Sequence, residues 1–243
     1  MTEIVAARTM SSLYIWLDIA FLFAFLALLI FTKRYQAIIA GLLGGIIYFI
    51  VDYGIFYLAL GTRQVAGADP LVFLLWLSMS YGFTNFVWIW LWLDRDGHAL
   101  EWSLFILAGW FCTALLSQNF GAGFSQISII RGTTSYHGVM ALLLFVGYGI
   151  LCVRNIIQKG ECKKIPLLWI LAIGILVQFG WEFVLAISGI RNQSLNTIIV
   201  NSLLETNMGL PYLYLVHHAI NIKYNEELRP VIHEAEKATG LKS

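Results

Sequence analysis

Long apolar runs separated by short polar segments dominate the pattern of this chain. Seven runs approach or exceed the length of a helix across a hydrocarbon core of about 30 Å, which takes roughly 17–25 residues. They lie at 13–31, 36–60, 70–93, 102–117, 135–153, 166–188 and 195–216. The pattern predicts an all-α integral membrane fold, a single domain over 1–243 with seven transmembrane helices and a polar C-terminal tail at 221–243.

The composition supports the same fold class. Of the 243 residues, 59% are hydrophobic and 12% are charged, whereas soluble domains average about 45–50% apolar and about 25% charged residues. The sequence therefore predicts a multi-pass integral membrane protein, in the endoplasmic reticulum membrane of a eukaryote or the cell membrane of a bacterium. Membrane lipids are its predicted surroundings. The net charge of +1 does not favour a nucleic-acid partner.

The distribution of basic residues predicts an orientation. The segments before the first run and after the second, fourth and sixth runs hold four basic residues: Arg8, Arg63, Arg131 and Arg191. The other eleven of the 15 lysines and arginines fall on the opposite side. Because cytosolic loops carry the excess of Lys and Arg, we expect the N-terminus outside and the C-terminus in the cytosol.

Four carboxylates within the apolar runs are the main candidates for chemistry: Asp18, Asp52, Glu182 and Glu205. Each costs about 2.5–3.5 kcal/mol at a helix centre, so such residues commonly mark functional sites. The predicted spans contain no lysine or arginine to pair with them, and burial should therefore favour their neutral form. All four are predicted to lie in the outer half of the bilayer, which indicates a shared polar cavity.

Helical spacing adds neighbours to these acids. Residues four apart lie on one helix face, so Tyr48 and Phe56 should flank Asp52, and Asn201 and Tyr212 should share a stripe with Glu205. Asn85, near the middle of the third run, and the pair Trp181-Glu182 of the sixth run are further candidates. The predicted substrate-binding residues are therefore Tyr48, Phe56, Asn85, Trp181, Glu182, Asn201 and Tyr212.

Several of these residues also have plausible structural roles. Asp18 lies close enough to the end of its run to be solvated, and Asn85 could join two helices through hydrogen bonds. Glu182 could be held by Gln178, one helical turn before it. A structural role and a functional role therefore both stay open for these three residues.

Other functions of seven-span proteins are disfavoured by missing residues. A retinal protein needs a Schiff-base lysine in the last span, and 195–216 contains none. No motif has the spacing of His, Asp or Cys metal ligands. We therefore predict no metal site and no cofactor.

Three stretches resemble the small seven-span terpene cyclases of fungal meroterpenoid and indole-diterpene pathways. They are FTKRYQAIIAG at 31–41, IVDYGIFY at 50–57 and NSLLETNMGLPYLYL at 201–215. Asp52 and Glu205 stand where that family places its two acids. The family more often has Glu at the first position and Asp at the second.

The resemblance implies an enzyme that protonates an epoxide or alkene of a prenylated, lipophilic small molecule, with Asp52 and Glu205 as catalytic acids and without a metal. One carboxyl would donate the proton and the other would hold or collect one. Two other functions fit the same intramembrane acids: a proton-coupled transporter or channel, and a non-catalytic lipid-binding protein.

Overall fold

The computed structural model describes residues 6–131, 136–158, 164–191 and 194–224. It is mostly helical, and six of its helical segments are long and apolar enough to cross a membrane. We therefore treat the chain as a multi-pass membrane protein. The elements in chain order are β1 (Ala6–Ser11), α1 (Ser12–Phe31), α2 (Tyr35–Phe49), a π-helix (Ile50–Ala59), β2 (Arg63–Ala66), α3 (Pro70–Leu93), α4 (Ala99–Phe120), a short 3₁₀ turn (Gly121–Gly123), β3 (Gln126–Arg131), α5 (His137–Ile157), α6 (Leu167–Ile187), α7 (Leu195–Leu204) and α8 (Leu210–Lys223).

The central helix of the bundle is α3. In the most apolar 18 residues of α3, 78% of the positions are buried, whereas in those of α5 only 17% are buried. Helix α3 therefore packs inside the bundle, and α5 lies at its periphery. Its start is set by local chemistry, because the Asp69 carboxylate accepts a hydrogen bond of 2.9 Å from the Val72 amide and Pro70 occupies the first turn. The predicted and observed bounds of this helix coincide at 70–93.

The closest helix packing is between α2 and α3. A Cβ atom on Gly82 would lie 2.7 Å from the Gly45 Cα atom and 2.9 Å from the Gly44 carbonyl oxygen. These neighbours are backbone atoms, which cannot move aside without separating the helices. Small residues at such crossings allow the close backbone approach that stabilises helix pairs in bilayers.

Two predicted spans differ from regular α-helices. The second continues from α2 into the π-helix, which carries Asp52. The seventh is not continuous: α7 ends at Leu204, and five turn residues separate it from α8. Pro211 lies in the first turn of α8, where its missing amide hydrogen costs no helical hydrogen bond. The expectation of one helix over 195–216 is therefore wrong, and most of the predicted tail at 221–243 lies outside the described residues.

A three-stranded antiparallel sheet covers one end of the bundle, and we call it the β-cap (β1, β2 and β3). The middle strand is β3, with β1 and β2 on either side. Arg131 is paired with Arg63, and Ile129 is paired with both Arg8 and Val65. Directly opposed residues share a sheet face, so Arg8, Arg63 and Arg131 lie on one face. The apolar pattern did not predict this sheet.

Candidate functional site

The arginine face of the β-cap is turned toward the bundle. Arg8 and Arg63 are each only 2% exposed, and Arg131 is partly buried. Arg191 joins this face from the turn after α6 through an isolated bridge to Arg8, at the free edge of β1. All four basic residues assigned to one side by the sequence therefore lie together beneath the cap.

Asp52 is clamped by two of these arginines. Arg63 donates to Asp52 Oδ1 from Nη2 at 2.9 Å and from Nε at 3.2 Å, and Arg131 donates from Nη2 at 3.2 Å. Asp52 is 5% exposed, so these bonds form where water screens them little. The expectation that no cation lies near the intramembrane acids is wrong here, because both arginines come from segments outside the apolar runs.

Glu182 is paired in the same way with Arg191. Arg191 Nη1 lies 2.6 Å from each carboxylate oxygen of Glu182, which is fully buried. Gln178 Nε2 donates to Glu182 Oε1 at 3.2 Å, and Asn201 Nδ2 approaches the same oxygen at 3.4 Å. The predicted contact between Gln178 and Glu182 is confirmed, and Asn201 of α7 joins this carboxylate rather than Glu205.

Glu205 lies in the break between α7 and α8 and has a different partner. Gln178 Nε2 donates to Glu205 Oε2 at 2.8 Å. The side-chain oxygen of Gln178, Oε1, accepts hydrogen bonds from the Tyr81 hydroxyl and from Thr206 Oγ1, both at 2.7 Å. Gln178 therefore uses its amide nitrogen on two carboxylates and its oxygen on two hydroxyls, and it links α3, α6 and the helix break.

Arg131 connects the two predicted catalytic acids electrostatically. Burial alone would lower the pKa of Arg131, but its interactions with Asp52 and Glu205 raise it above the ordinary value. For Arg63, burial and the nearby Arg131 lower the pKa to about 10, although Asp52 opposes this. Both guanidinium groups therefore stay charged near neutral pH, and Arg131 is close enough to Asp52 and Glu205 to interact with both.

Aromatic rings form one wall of this cluster. The Trp181 ring lies 4.9 Å from that of Tyr81 and 4.6 Å from that of Trp110, measured between centroids. Arg8 lies 5.8 Å above the centroid of the Trp181 ring, and Arg63 lies 4.4 Å from that of Phe56. Cations are attracted to aromatic faces at such distances. Two predicted binding residues, Phe56 and Trp181, therefore contact arginines of the cap.

An apolar groove of about 470 Å³ runs between α2, α3 and α8. The Tyr48 ring lies 5.8 Å from that of Phe86, which lines the groove, and 5.1 Å from that of Tyr81, which binds Gln178. Gly209, in the break that holds Glu205, also lines the groove. Its other lining residues include Ile39, Leu43, Ile47, Trp90, Leu213 and Val216.

Three sequence candidates lie apart from the cluster. Tyr212 lines the groove, and its hydroxyl donates to the Leu143 carbonyl at 2.9 Å. Asn85 is 1% exposed, and neither of its side-chain polar atoms has a partner among the described residues. Asp18 is fully buried and accepts a hydrogen bond of 3.0 Å from Trp76 Nε1. Solvation of Asp18 at the end of its run is therefore ruled out.

The residues that sequence reasoning missed are the four arginines, together with Tyr81 and Thr206. One signal could have revealed the arginines. Arg63 follows Asp52 by 11 residues and Arg191 follows Glu182 by nine, so in both cases the acid near the end of a span precedes an arginine just beyond it. A long guanidinium side chain can reach back over that distance. In the described part of the chain, no group of three or more His, Cys, Asp or Glu residues could hold a metal ion.

Comparison with known proteins gives no match, since no family model, curated protein or solved structure is similar enough to this chain. The function must therefore be inferred from the site itself.

Proposed function

We propose that this chain is a membrane-embedded enzyme of the terpene-cyclase type, in which Glu205 protonates an epoxide or alkene of a prenylated, lipophilic substrate. The observation that carries the proposal is the position of Glu205. It lies in the helix break whose last residue, Gly209, lines an apolar groove, and a neutral amide rather than a guanidinium group donates a hydrogen bond to it.

The three clustered acids differ in their suitability as proton donors. A general acid must carry its proton before the reaction, which requires surroundings that do not favour the carboxylate. Asp52 has hydrogen bonds from two arginines and Glu182 from one, and such bonds stabilise the ionised form. Glu205 has no such bond to an arginine among the described residues, so it is the natural donor. Asp52 is better suited to accept the final proton or to stabilise positive charge.

The groove is suited to an apolar chain that enters from the bilayer. Its walls are almost wholly hydrocarbon and aromatic, and α2, on one side of it, belongs to a segment long and apolar enough to cross a membrane. Tyr48, Phe86 and Trp90 place rings along or next to it. Aromatic faces stabilise a desolvated cation by about 2 kcal/mol or more each. A carbocation formed near Glu205 would therefore be stabilised as it moves along the prenyl chain.

The reaction is an isomerisation with a closed proton balance. Glu205 transfers its proton to the epoxide oxygen, the carbon–oxygen bond breaks, and a tertiary carbocation forms as the oxygen becomes a hydroxyl group. Neighbouring alkenes attack in turn, and each attack forms one carbon–carbon bond. A carboxylate of the cluster takes the final proton as the last alkene forms, and this proton restores Glu205.

The test compares Glu205→Gln with Glu101→Gln, which replaces an exposed acid at the start of α4. Purified protein in lipid nanodiscs is incubated with a panel of prenylated arenes that carry a terminal epoxide. We expect a product of unchanged mass and altered retention, and a fall of at least about 100-fold in its rate of formation for Glu205→Gln. Glu101→Gln should match the wild type. Equal rates for Glu205→Gln and wild type would refute the role of Glu205.

The helix break also supports a second candidate function, proton-coupled transport. Transporters often bind ions where a spanning helix is interrupted, and Glu205 lies in such an interruption between α7 and α8. In this case proteoliposomes would show proton movement coupled to solute uptake, with the solute chemically unchanged. Glu205→Gln would abolish the flux, so the chemical identity of the recovered solute distinguishes transport from cyclisation.

A further inference from the structure

Among the described residues, the cluster beneath the β-cap contains more positive than negative charge. Four arginines face three acids there, Asp52, Glu182 and Glu205, which leaves a surplus of at least one positive charge. Arg8 differs from the other three, because among the described residues it has a ring contact with Trp181 and longer-range attraction from Glu182 and Glu205, whereas Arg63, Arg131 and Arg191 each form an ion pair with a carboxylate. A buried charge without a direct counter-ion is costly, so the surplus needs an explanation.

Each of the four arginines also has an unused donor. The nitrogens Arg8 Nε, Arg63 Nη1, Arg131 Nε and Arg191 Nε are all buried and have no hydrogen-bond partner among the described residues. Arg8, Arg63 and Arg191 are each at least nine-tenths buried. Buried polar groups are nearly always hydrogen-bonded in proteins, and four guanidinium N–H groups without a partner in one cluster exceed that expectation. A ligand with several acceptor oxygens would give these donors hydrogen-bond partners.

The sheet register brings three of these groups to one place. Arg131 and Arg8 lie on adjacent strands of the same sheet face, and Arg191 bridges to Arg8 from the other side. Burial, followed by the charges of Arg131 and Arg191, lowers the pKa of Arg8 to about 9. Glu182 and Glu205 oppose this shift, so Arg8 remains charged at neutral pH among two other cations and two acids.

We propose that Arg8, Arg131 and Arg191 bind the phosphate group of a phosphate monoester or of inorganic phosphate beneath the β-cap. The planar guanidinium fork matches phosphate oxygens in bidentate geometry. A phosphate group brings about two negative charges and three acceptor oxygens, which offset the surplus and use the idle donors. The phosphate is either the headgroup of a lipid such as phosphatidic acid or a free ion. This site does not depend on whether Glu205 donates a proton.

The test measures the thermal unfolding midpoint, Tm, of the full chain at constant ionic strength. One arm adds inorganic phosphate in place of chloride in neutral-lipid nanodiscs, and the other uses nanodiscs that contain phosphatidic acid. A ligand that binds only the folded protein raises Tm, and near saturation we expect a rise of about 5 °C or more. A response to both additions indicates a site open to the free ion, and a response to phosphatidic acid alone indicates a lipid headgroup. No response to either would overturn the proposal.

Variants test whether the phosphate-dependent rise in Tm comes from the arginines of the β-cap. Arg8→Gln removes the surplus charge and should abolish the phosphate-dependent rise, while its Tm without phosphate should equal or exceed that of the wild type. Arg8→Lys keeps the charge without the fork and should retain a smaller rise. Arg34→Gln, which loses an arginine that pairs with Asp96 near the start of α2, should respond like the wild type. A full response in Arg8→Gln, or a Tm lowered equally with and without phosphate, would contradict the site.

Discussion

At the scale of single residues, the buried ion pairs of the cap decide how the acids can act. Asp52 and Glu182 each sit within 2.9 Å of an arginine nitrogen and are almost fully buried. Such pairs add little net stability compared with apolar residues, but removing one partner leaves a buried charge alone. The pairs therefore fix the position of the cap on the bundle more than they stabilise the fold.

This argument predicts the effect of Asp52→Asn. The substitution leaves Arg63 and Arg131 without their shared carboxylate, and we expect a loss of about 3–5 kcal/mol in unfolding free energy. Reversible unfolding in mixed micelles would measure it. In the double variant with Arg63→Gln the cost should be smaller than the sum of the single costs, because the two residues interact directly. Additive costs would mean that the ion pair does not form.

The acids themselves were predictable at this scale, whereas their partners were not. A carboxylate in an apolar run stands out from the sequence because its burial is costly. The arginines lie outside the apolar runs, so their burial is not evident from the sequence, and only the short spacing from Asp52 and from Glu182 points to Arg63 and Arg191. Only the pairing of β3 with β1 and β2 brings Arg131 beside Asp52, a residue 79 positions earlier in the chain.

At the scale of elements, the contact between α2 and α3 leaves no room for a side chain at Gly82. In Gly82→Ala the new methyl group would meet backbone atoms of Gly44 and Gly45. We expect a destabilisation of about 1–3 kcal/mol, typical of overpacking, measured as a fall in Tm. Gly54→Ala is the matched control, because a Cβ atom there has open space around it. If both variants unfold alike, the helices are not in close contact at Gly82.

Long helices were predictable from the sequence, and the short elements were not. Hydropathy located α3 correctly because its apolar run begins at a proline preceded by a capping aspartate. The apolar run continues through the break after Leu204, so the sequence did not reveal that the seventh span is divided into α7 and α8. The strands of the β-cap hold four to six residues each, and their pairing depends on distant segments rather than on local pattern.

At the scale of the whole molecule, the arginines of the cap cluster bear on the predicted orientation of the chain in the membrane. The four basic residues assigned to the outer side are all part of the cap cluster, where three of them pair with Asp52 or Glu182. The other eleven lysines and arginines all fall in the segments assigned to the opposite side. Because cytosolic segments carry the basic excess, we expect the β-cap to face away from the cytosol.

Two glycines allow this orientation to be tested. Gly97 lies in the turn between α3 and α4, and Gly123 lies beside the β-cap; a Cβ atom has open space at both. In a chain with Cys112, Cys152 and Cys162 replaced by alanine, a membrane-impermeant maleimide should label Gly123→Cys in intact cells. Gly97→Cys should react only after the cells are permeabilised. The reverse pattern would invert the predicted topology.

The strand order of the β-cap has a consequence for biosynthesis. Its middle strand, β3, is the last of the three to leave the ribosome, and β1 and β2 pair only with it. Until β3 emerges, a nascent chain holds Asp52 with Arg63 as its first counter-ion, because Arg131 has not yet been translated. We therefore expect the β-cap to form only after β3 has been translated, when the helices before it have already entered the translocon or the bilayer.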